Sequence, residues 1–356
     1  MTTAFIVLIS LLSMMLGIDE AEIVFAGDAM MHQGQIDAAR RSDGSYDFTG
    51  CFDAVDGYVM SADYAVVNLE TPTSTPPYSG YPCFNAPESY IDALSTAGFD
   101  LFLTANNHTL DRRDKGLRAT IDRLDQRRLD HIGTYKNDSA RIEALPLIKN
   151  LNNIKVAFLN YTYGTNGIAP GPKVKVDYID CDLIKQDVDA ARQAGAEVVI
   201  ACVHWGVEYK LLPHSSQKSL ADYIRGLGVD AIIGGHPHVV QPMELTDDDS
   251  PQLTVYSLGN FISNMKTTDT RGGAMLKLVL RRGDDGKVRI VDTSYRLVFT
   301  EPPHKGENYR LEWVDRSDDP RAKAFARSAR AVFGKHNVNV AEESPKVPRS
   351  KSTTAK

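Results

Sequence analysis

Asp230-Ala231-Ile232-Ile233-Gly234-Gly235-His236-Pro237-His238 passes from an apolar run through two glycines to a pair of histidines. Residues 230–234 read as a short buried strand, and the glycines allow close backbone approach where the chain leaves it. The same design recurs four times upstream, in Ala26-Gly27-Asp28, Val67-Asn68-Leu69-Glu70, Ala105-Asn106-Asn107-His108 and Val203-His204-Trp205-Gly206. Each follows an apolar stretch, at 23–26, 65–67, 101–104 and 198–203. In an open α/β sheet the loops beyond the strands' carboxyl ends converge on one crevice, so side chains distant in sequence can meet there. Asp, Glu, Asn and neutral His together form a mixed oxygen and nitrogen donor set suited to Zn, Mn or Fe.

Outward from these motifs, the first half of the chain alternates strand and helix. Strands are predicted at 22–27, 64–69 and 100–104, and helices at 51–61, 87–97 and 114–127, the last carrying Leu117, Ile121 and Leu124 at helical spacing. This rhythm implies a mainly parallel, buried sheet. Residues 144–149 and 155–161 read as strands paired around Asn152-Asn153. Helices at 182–194 and 215–227 lead to strands at 197–203 and 230–234. Then come three strand-like runs, at 252–258, 274–281 and 288–299, with no helix between them. Consecutive strands of this kind suggest an antiparallel second sheet, and two sheets with helices outside give an α/β/β/α sandwich. A last helix is expected at 320–335.

The chain has 356 residues, a net charge of −6, 42% hydrophobic and 24% charged residues, the composition of a globular protein with a packed core. The mild acidity and the lack of a basic stripe interleaved with aromatics argue against a nucleic-acid partner. Residues 4–16 are apolar except for Ser10 and Ser13. That run is shorter than the roughly 18–20 residues a spanning helix needs, but it suits the apolar region of an export signal. Residues 1–20 are therefore expected to be a signal peptide or membrane anchor, with burial in the fold as the alternative. Residues 21–340 would form one domain, and 341–356, rich in Pro, Ser, Thr and Lys, a disordered tail. The expected location is extracytoplasmic, either membrane-associated or periplasmic. Cys51, Cys83, Cys181 and Cys202 show no CxxC spacing. In an exported protein Cys51 and Cys83 could pair, although sequence does not establish a pairing; Cys202 reads as core.

Taken in order, Gly27-Asp28, Asn68-Leu69-Glu70, Ala105-Asn106-Asn107-His108, His204-Trp205-Gly206-x-Glu208-Tyr209, Gly235-His236-Pro237-His238-x-x-Gln241-Pro242 and Ser257-Leu258-Gly259-Asn260-Phe261 resemble the poly-γ-glutamate capsule synthesis (CapA) family. That family looks like a branch of the calcineurin-like metallophosphoesterases. The resemblance spans residues 23–263 and implies a metallophosphatase-like four-layer α/β/β/α sandwich holding one or two divalent ions (Mn, Zn or Fe). It implies that Glu70, Asn107, His204 and His236 surround a first metal, and that Asp28, His238 and a shared Glu70 serve a second. Met30 stands where the superfamily has a further histidine, and His32 is out of register. Thioether sulfur is a poor ligand for a hard divalent ion, which leaves the second position short of a ligand.

His108 would protonate a leaving group. Glu208 would either orient an imidazole or bind substrate, and Asn68 would support the ligands. Asn260 would support them or simply make a turn. Trp205 is packing or an aromatic rim, and Arg112 and Arg113 are a substrate contact or a solvated face. The implied role is hydrolase-like, on a phosphoester or γ-glutamyl bond, in making, anchoring or exporting an anionic polymer alongside membrane-bound capsule synthesis proteins. The alternative is a non-catalytic accessory or polymer-binding subunit.

Overall fold

The computed structural model describes residues 19–304 and 306–343. In chain order its strands are β1 (Glu20–Ala29), β2 (Tyr64–Leu69), β3 (Leu101–Leu103), β4 (Asp130–Ile132), β5 (Thr134–Tyr135), β6 (Leu147–Leu151), β7 (Ile154–Thr162), β8 (Lys175–Val176) and β9 (Val198–His204). There follow β10 (Ala231–Gly235), β11 (Val240–Leu245), β12 (Leu253–Leu258), β13 (Asn260–Ile262), β14 (Gly272–Arg282), β15 (Val288–Glu301), β16 (Arg310–Trp313) and β17 (Ala341–Glu342). The helices are α1 (Gln33–Ala39), α2 (Asp56–Val59), α3 (Ser89–Thr96), α4 (Arg113–Gln126), α5 (Asp138–Ala144), α6 (Cys181–Gln193), α7 (Ser215–Gly226) and α8 (Pro320–His336).

Two mixed sheets stack face to face. One runs β16-β15-β14-β1-β2-β3-β4, with β13 added beside β1 and β17 beside β15; the other runs β11-β12-β10-β9-β7-β6. Strand alternation assigns each side chain to a layer. Ile23 and Phe25 of β1, Val156 and Phe158 of β7, and Ile200 of β9 fill the space between the sheets. Their neighbours point outward. Val24 and Ala26 pack with Tyr90, Ile91 and Leu94 of α3, while Leu159 and Val199 pack with Ile184 and Val188 of α6 and Ile224 of α7. The result is a four-layer α/β/β/α sandwich. Helix α8 closes one end of the inter-sheet core with Phe325 and Phe333. Asn152 and Asn153 both take positive φ (47° and 67°), as a two-residue hairpin between β6 and β7 requires.

Three expectations need correction. The strands after residue 250 do not form a sheet of their own. β12 inserts into the six-stranded sheet parallel to β10, whereas β14 returns to extend the first sheet antiparallel to β1 and β15 adds to it antiparallel to β14. The helix expected at 51–61 shrinks to α2, because Leu311 N–H and the Trp313 indole take the carbonyls of Cys51 and Ala54 that a helix would use. Cys51 lies buried in the outer core and Cys83 is exposed; both are free thiols, so the pairing considered for an exported chain is not formed.

The segment 1–20 falls outside the described residues up to 18, and Glu20 already belongs to β1. The tail from 341 begins instead with β17, paired to β15, and lies outside the described residues from 344. Among the described residues no helix is long and apolar enough to cross a membrane.

Candidate metal centre

The carboxyl ends of the central parallel strands of both sheets meet at one place. Asp28 on β1 is in register with Asn68 on β2 and Asn260 on β13, and Gly235 on β10 with His204 on β9. Gly27 lets β1 bulge there: a Cβ would lie 2.0 Å from Gly259 O. The loop after β3 is fastened between the sheets by two amides. Asn106 Nδ2 donates to Leu69 O (2.9 Å), and Asn160 Oδ1 accepts from Ala105 N–H (2.8 Å).

This framework assembles two groups of donors that share Glu70. Glu70, His204 and His236 form one, and Asp28, Glu70 and His238 the other, with ligand atoms in each group within 4.8 Å of one another. Asn107 Oδ1 joins the first group, 2.9 Å from His204 Nε2, which is itself 3.6 Å from Glu70 Oε1. His238 Nδ1 lies 3.1 Å from Asn260 Oδ1 and 3.2 Å from Asp28 Oδ2. Those two acceptors place its proton on Nδ1 and turn Nε2 towards Glu70 Oε1, 3.8 Å away. Asn68 Nδ2 donates to Asp28 Oδ1 (2.8 Å) and stands 3.4 Å from both Glu70 Oε2 and His204 Nδ1. His236 and His238 hold left-handed backbone (φ 100° and 57°), a strain that structures retain chiefly at functional sites.

The electrostatics are those of a site built around positive charge. Burial pushes Asp28 up, but His238, His204 and Asn68 together outweigh it and hold the carboxyl at about 2. Glu70 has no such relief; burial, then the Asp28 charge, drive it well above the usual range. Burial holds His204 well below its usual value and His236 at about 3, so both rings keep free lone pairs. Glu70 Oε1 and His236 Nδ1 are buried without a hydrogen-bond partner. Orphaned acceptors are costly in a protein interior, and a divalent ion would satisfy both. The donor set fits such an ion.

A family model for the bacterial capsule synthesis protein PGA_cap matches residues 22–265, a span that contains every one of these donors. The chain belongs to that family. Its relatives include the capsule biosynthesis protein CapA of Bacillus anthracis, 28% identical over 77% of this chain and 66% of that protein. The PGA biosynthesis protein CapA of Bacillus subtilis (strain 168) is 25% identical over 75% of this chain and 69% of that one. The chain thus spans about two thirds of the length of these curated relatives. Among solved structures, Haemophilus influenzae NAD nucleotidase (NadN) aligns with a TM-score of 0.49 at 12% identity, over 91% of this chain and 64% of that one.

The structure places the other candidates of this PGA_cap chain around the two donor groups or away from them. His108 is buried beside the first group, its Nδ1 2.8 Å from Asp111 Oδ2, and Phe84 N–H donates to the same carboxylate oxygen (2.7 Å). Glu208 is half-buried and its charge bears on Glu70. Trp205 is buried, with its indole N–H on Tyr256 O (2.9 Å), so it is packing rather than rim. His32 caps α1 and its Nδ1 accepts from Asn264 N–H (3.2 Å), outside both donor groups. Arg112 is half-buried and Arg113 exposed at the start of α4, and neither forms an ion pair among the described residues. Sequence reasoning quoted Asn106 in its motif without giving it a role, and passed over Asp111, Asn160, Tyr163 and Asn166. Of these last four only Asp111, three residues after His108, carried a signal that spacing could have caught.

Proposed function

We propose that this chain is a metal-dependent hydrolase that acts outside the cytoplasm in the synthesis, anchoring or export of an anionic capsule polymer. The supporting observation is the pair of buried donor groups sharing Glu70, with the His108–Asp111 pair beside them. Glu70, Asn107, His204 and His236 would hold one divalent ion, and Asp28, Glu70 and His238 a second. Bound there, such ions supply Lewis acidity and activate water near neutral pH.

The remaining work falls to the chain itself. Asn68 and Asn260 fix the ligands, while Asp111 accepts a hydrogen bond from His108 Nδ1–H and so supports the doubly protonated ring, whose Nε2–H would pass its proton to a leaving-group oxygen or nitrogen. A positioned proton donor of this kind is worth typically about 10²–10⁴-fold in rate. The apolar run at 4–16, outside the described residues, supports export.

The test is His236→Ala, assayed for metal by mass spectrometry and for turnover of bis(p-nitrophenyl) phosphate and γ-glutamyl p-nitroanilide. Loss of both metal and turnover is expected; a variant as active as the wild type would defeat the reading. Met30, in place of a histidine, favours a second reading: an accessory subunit with one ion and no turnover. Hydrolysis by the wild type that disappears in His108→Ala while metal is kept would exclude it.

A further inference from the structure

We infer that the mouth of this centre selects a substrate carrying a ring with an apolar face, a sugar or an aromatic, next to the bond that is cleaved. The inference rests on the metal-dependent reading above and concerns residues that the reading does not use. Large apolar side chains left in solvent gather here: Tyr81 (76% exposed), Tyr163 (47%), Tyr209 (55%) and Leu212 (51%). Single exposed aromatics are ordinary. These are fastened to the ligands. Tyr163 N–H donates to His204 O (2.9 Å), and its ring lies 4.5 Å from that of His236 and 6.4 Å, nearly parallel, from that of His204.

Tyr209 N–H donates to Pro237 O (2.8 Å), between the two histidines, and its ring is 6.2 Å from His238. To sit there Tyr209 adopts φ 65°, a left-handed conformation that persists only where the surroundings impose it. On the third side, Phe84 packs edge-on against His108 at 4.6 Å, and Tyr81 lies a further 6.4 Å out from Phe84. The loop holding Tyr209 is clamped as well, since Gln241 Nε2 donates to Lys210 O (2.7 Å) and Leu212 O (3.3 Å).

Charge argues in the same direction. Among the described residues no lysine or arginine is paired with Asp28, Glu70, Asp111 or the site histidines. The charges that bear most on Glu70 are those of Asp28, Glu208 and Asp111, all negative. A ring with a weakly polar face would stack on Tyr163 or Tyr209 while its phosphoryl or acyl group reached the donors. Each aromatic contact of this sort is worth about 2- to 12-fold in affinity.

The probes are methylphosphonate, phenylphosphonate and a glucosyl C-phosphonate, titrated by calorimetry into the full chain loaded with Mn. At least one ring phosphonate should bind about tenfold or more tighter than methylphosphonate. A glucosyl preference would assign a sugar and a phenyl preference an aromatic. In the Tyr163→Ala/Tyr209→Ala double variant the ratio should fall to within about twofold, and in the double Phe variant it should persist. Because each variant is compared with its own methylphosphonate affinity, a general loss of binding cancels. Equal binding by the wild type, or a preference that survives the double alanine, would overturn the inference while leaving the metal reading intact. Binding of none of the three to the Mn-loaded chain would overturn the inference alone, whereas a full chain that takes up no Mn would remove the metal reading and the inference together.

Discussion

A methyl group added at Gly235 would lie 2.8 Å from Asp28 Oδ1, 3.6 Å from His204 Nδ1 and 3.7 Å from Asn68 Nδ2. Gly235→Ala should therefore displace Asp28 and weaken metal binding by about tenfold or more, a loss of 1.4 kcal/mol, with the circular dichroism spectrum unchanged. Asp111 acts one step removed, through His108. Asp111→Asn should lower kcat by roughly 10²-fold while KM stays within about twofold. The loss should be greatest for poor leaving groups, which need a proton, and least for p-nitrophenolate, which does not; equal loss on both would mean that Asp111 is only structural. His32 offers a test away from the ligands. Burial lowers its ring from 6.5 to about 4. The folded state then binds fewer protons than the unfolded one, so stability present above the unfolded value is lost as pH falls towards 4. In metal-free His32→Asn, the stability lost between pH 6.5 and about 4.5 should be smaller by on the order of 2 kcal/mol, read from urea midpoints. The donors that the structure gathers were legible in the sequence because each lies at or just beyond the end of a strand whose apolar run is local. Asn166 and Tyr163 were not, because only folding brings their loop to His108 and His236.

At the scale of elements, Gln241 shows how a buried amide sets a loop. Its Oε1 accepts from Gln217 Nε2 of α7 (2.9 Å), while its own NH2 holds the carbonyls of Lys210 and Leu212. Gln241→Leu leaves those groups unpaired, at about 1–3 kcal/mol each where they are buried. Amide exchange over 207–212 should accelerate by about tenfold or more, with β9 and β10 still protected; unchanged exchange would mean that the loop is held by other contacts. Element type was legible wherever a period was sustained, as in β2, β9 and α4. It failed at 51–61, where Cys51, Phe52, Val55 and Val59 have helical spacing but β16 claims the carbonyls. It failed again for the pairing of β12, β14 and β15. A period of two shows which face is buried, but not which sheet a strand joins.

For the whole molecule, the important point is which sheet supplies which donor. Asp28, Glu70 and Asn107 follow strands of the nine-stranded sheet, whereas His204, His236 and His238 follow strands of the six-stranded one. An ion bound there would tie the two together. At a free-metal concentration about 100 times Kd this linkage contributes about 2.7 kcal/mol. Stripping the metal should then lower Tm by roughly 4 °C for a domain of this size, and calorimetry before and after dialysis against a chelator would measure it. The four-layer plan was legible because each sheet has its own alternation, but the sharing of one site by both sheets rests on contacts as far apart as Asp28 and His236, 208 residues along the chain. That separation also sets a schedule. No nascent fragment contains the complete donor set until His238 has been synthesised, so an ion held by both groups would be acquired only after that point. If the chain is threaded across a membrane before it folds, the ion it captures is drawn from the far side, and the metal found in the purified protein records the compartment in which folding ended.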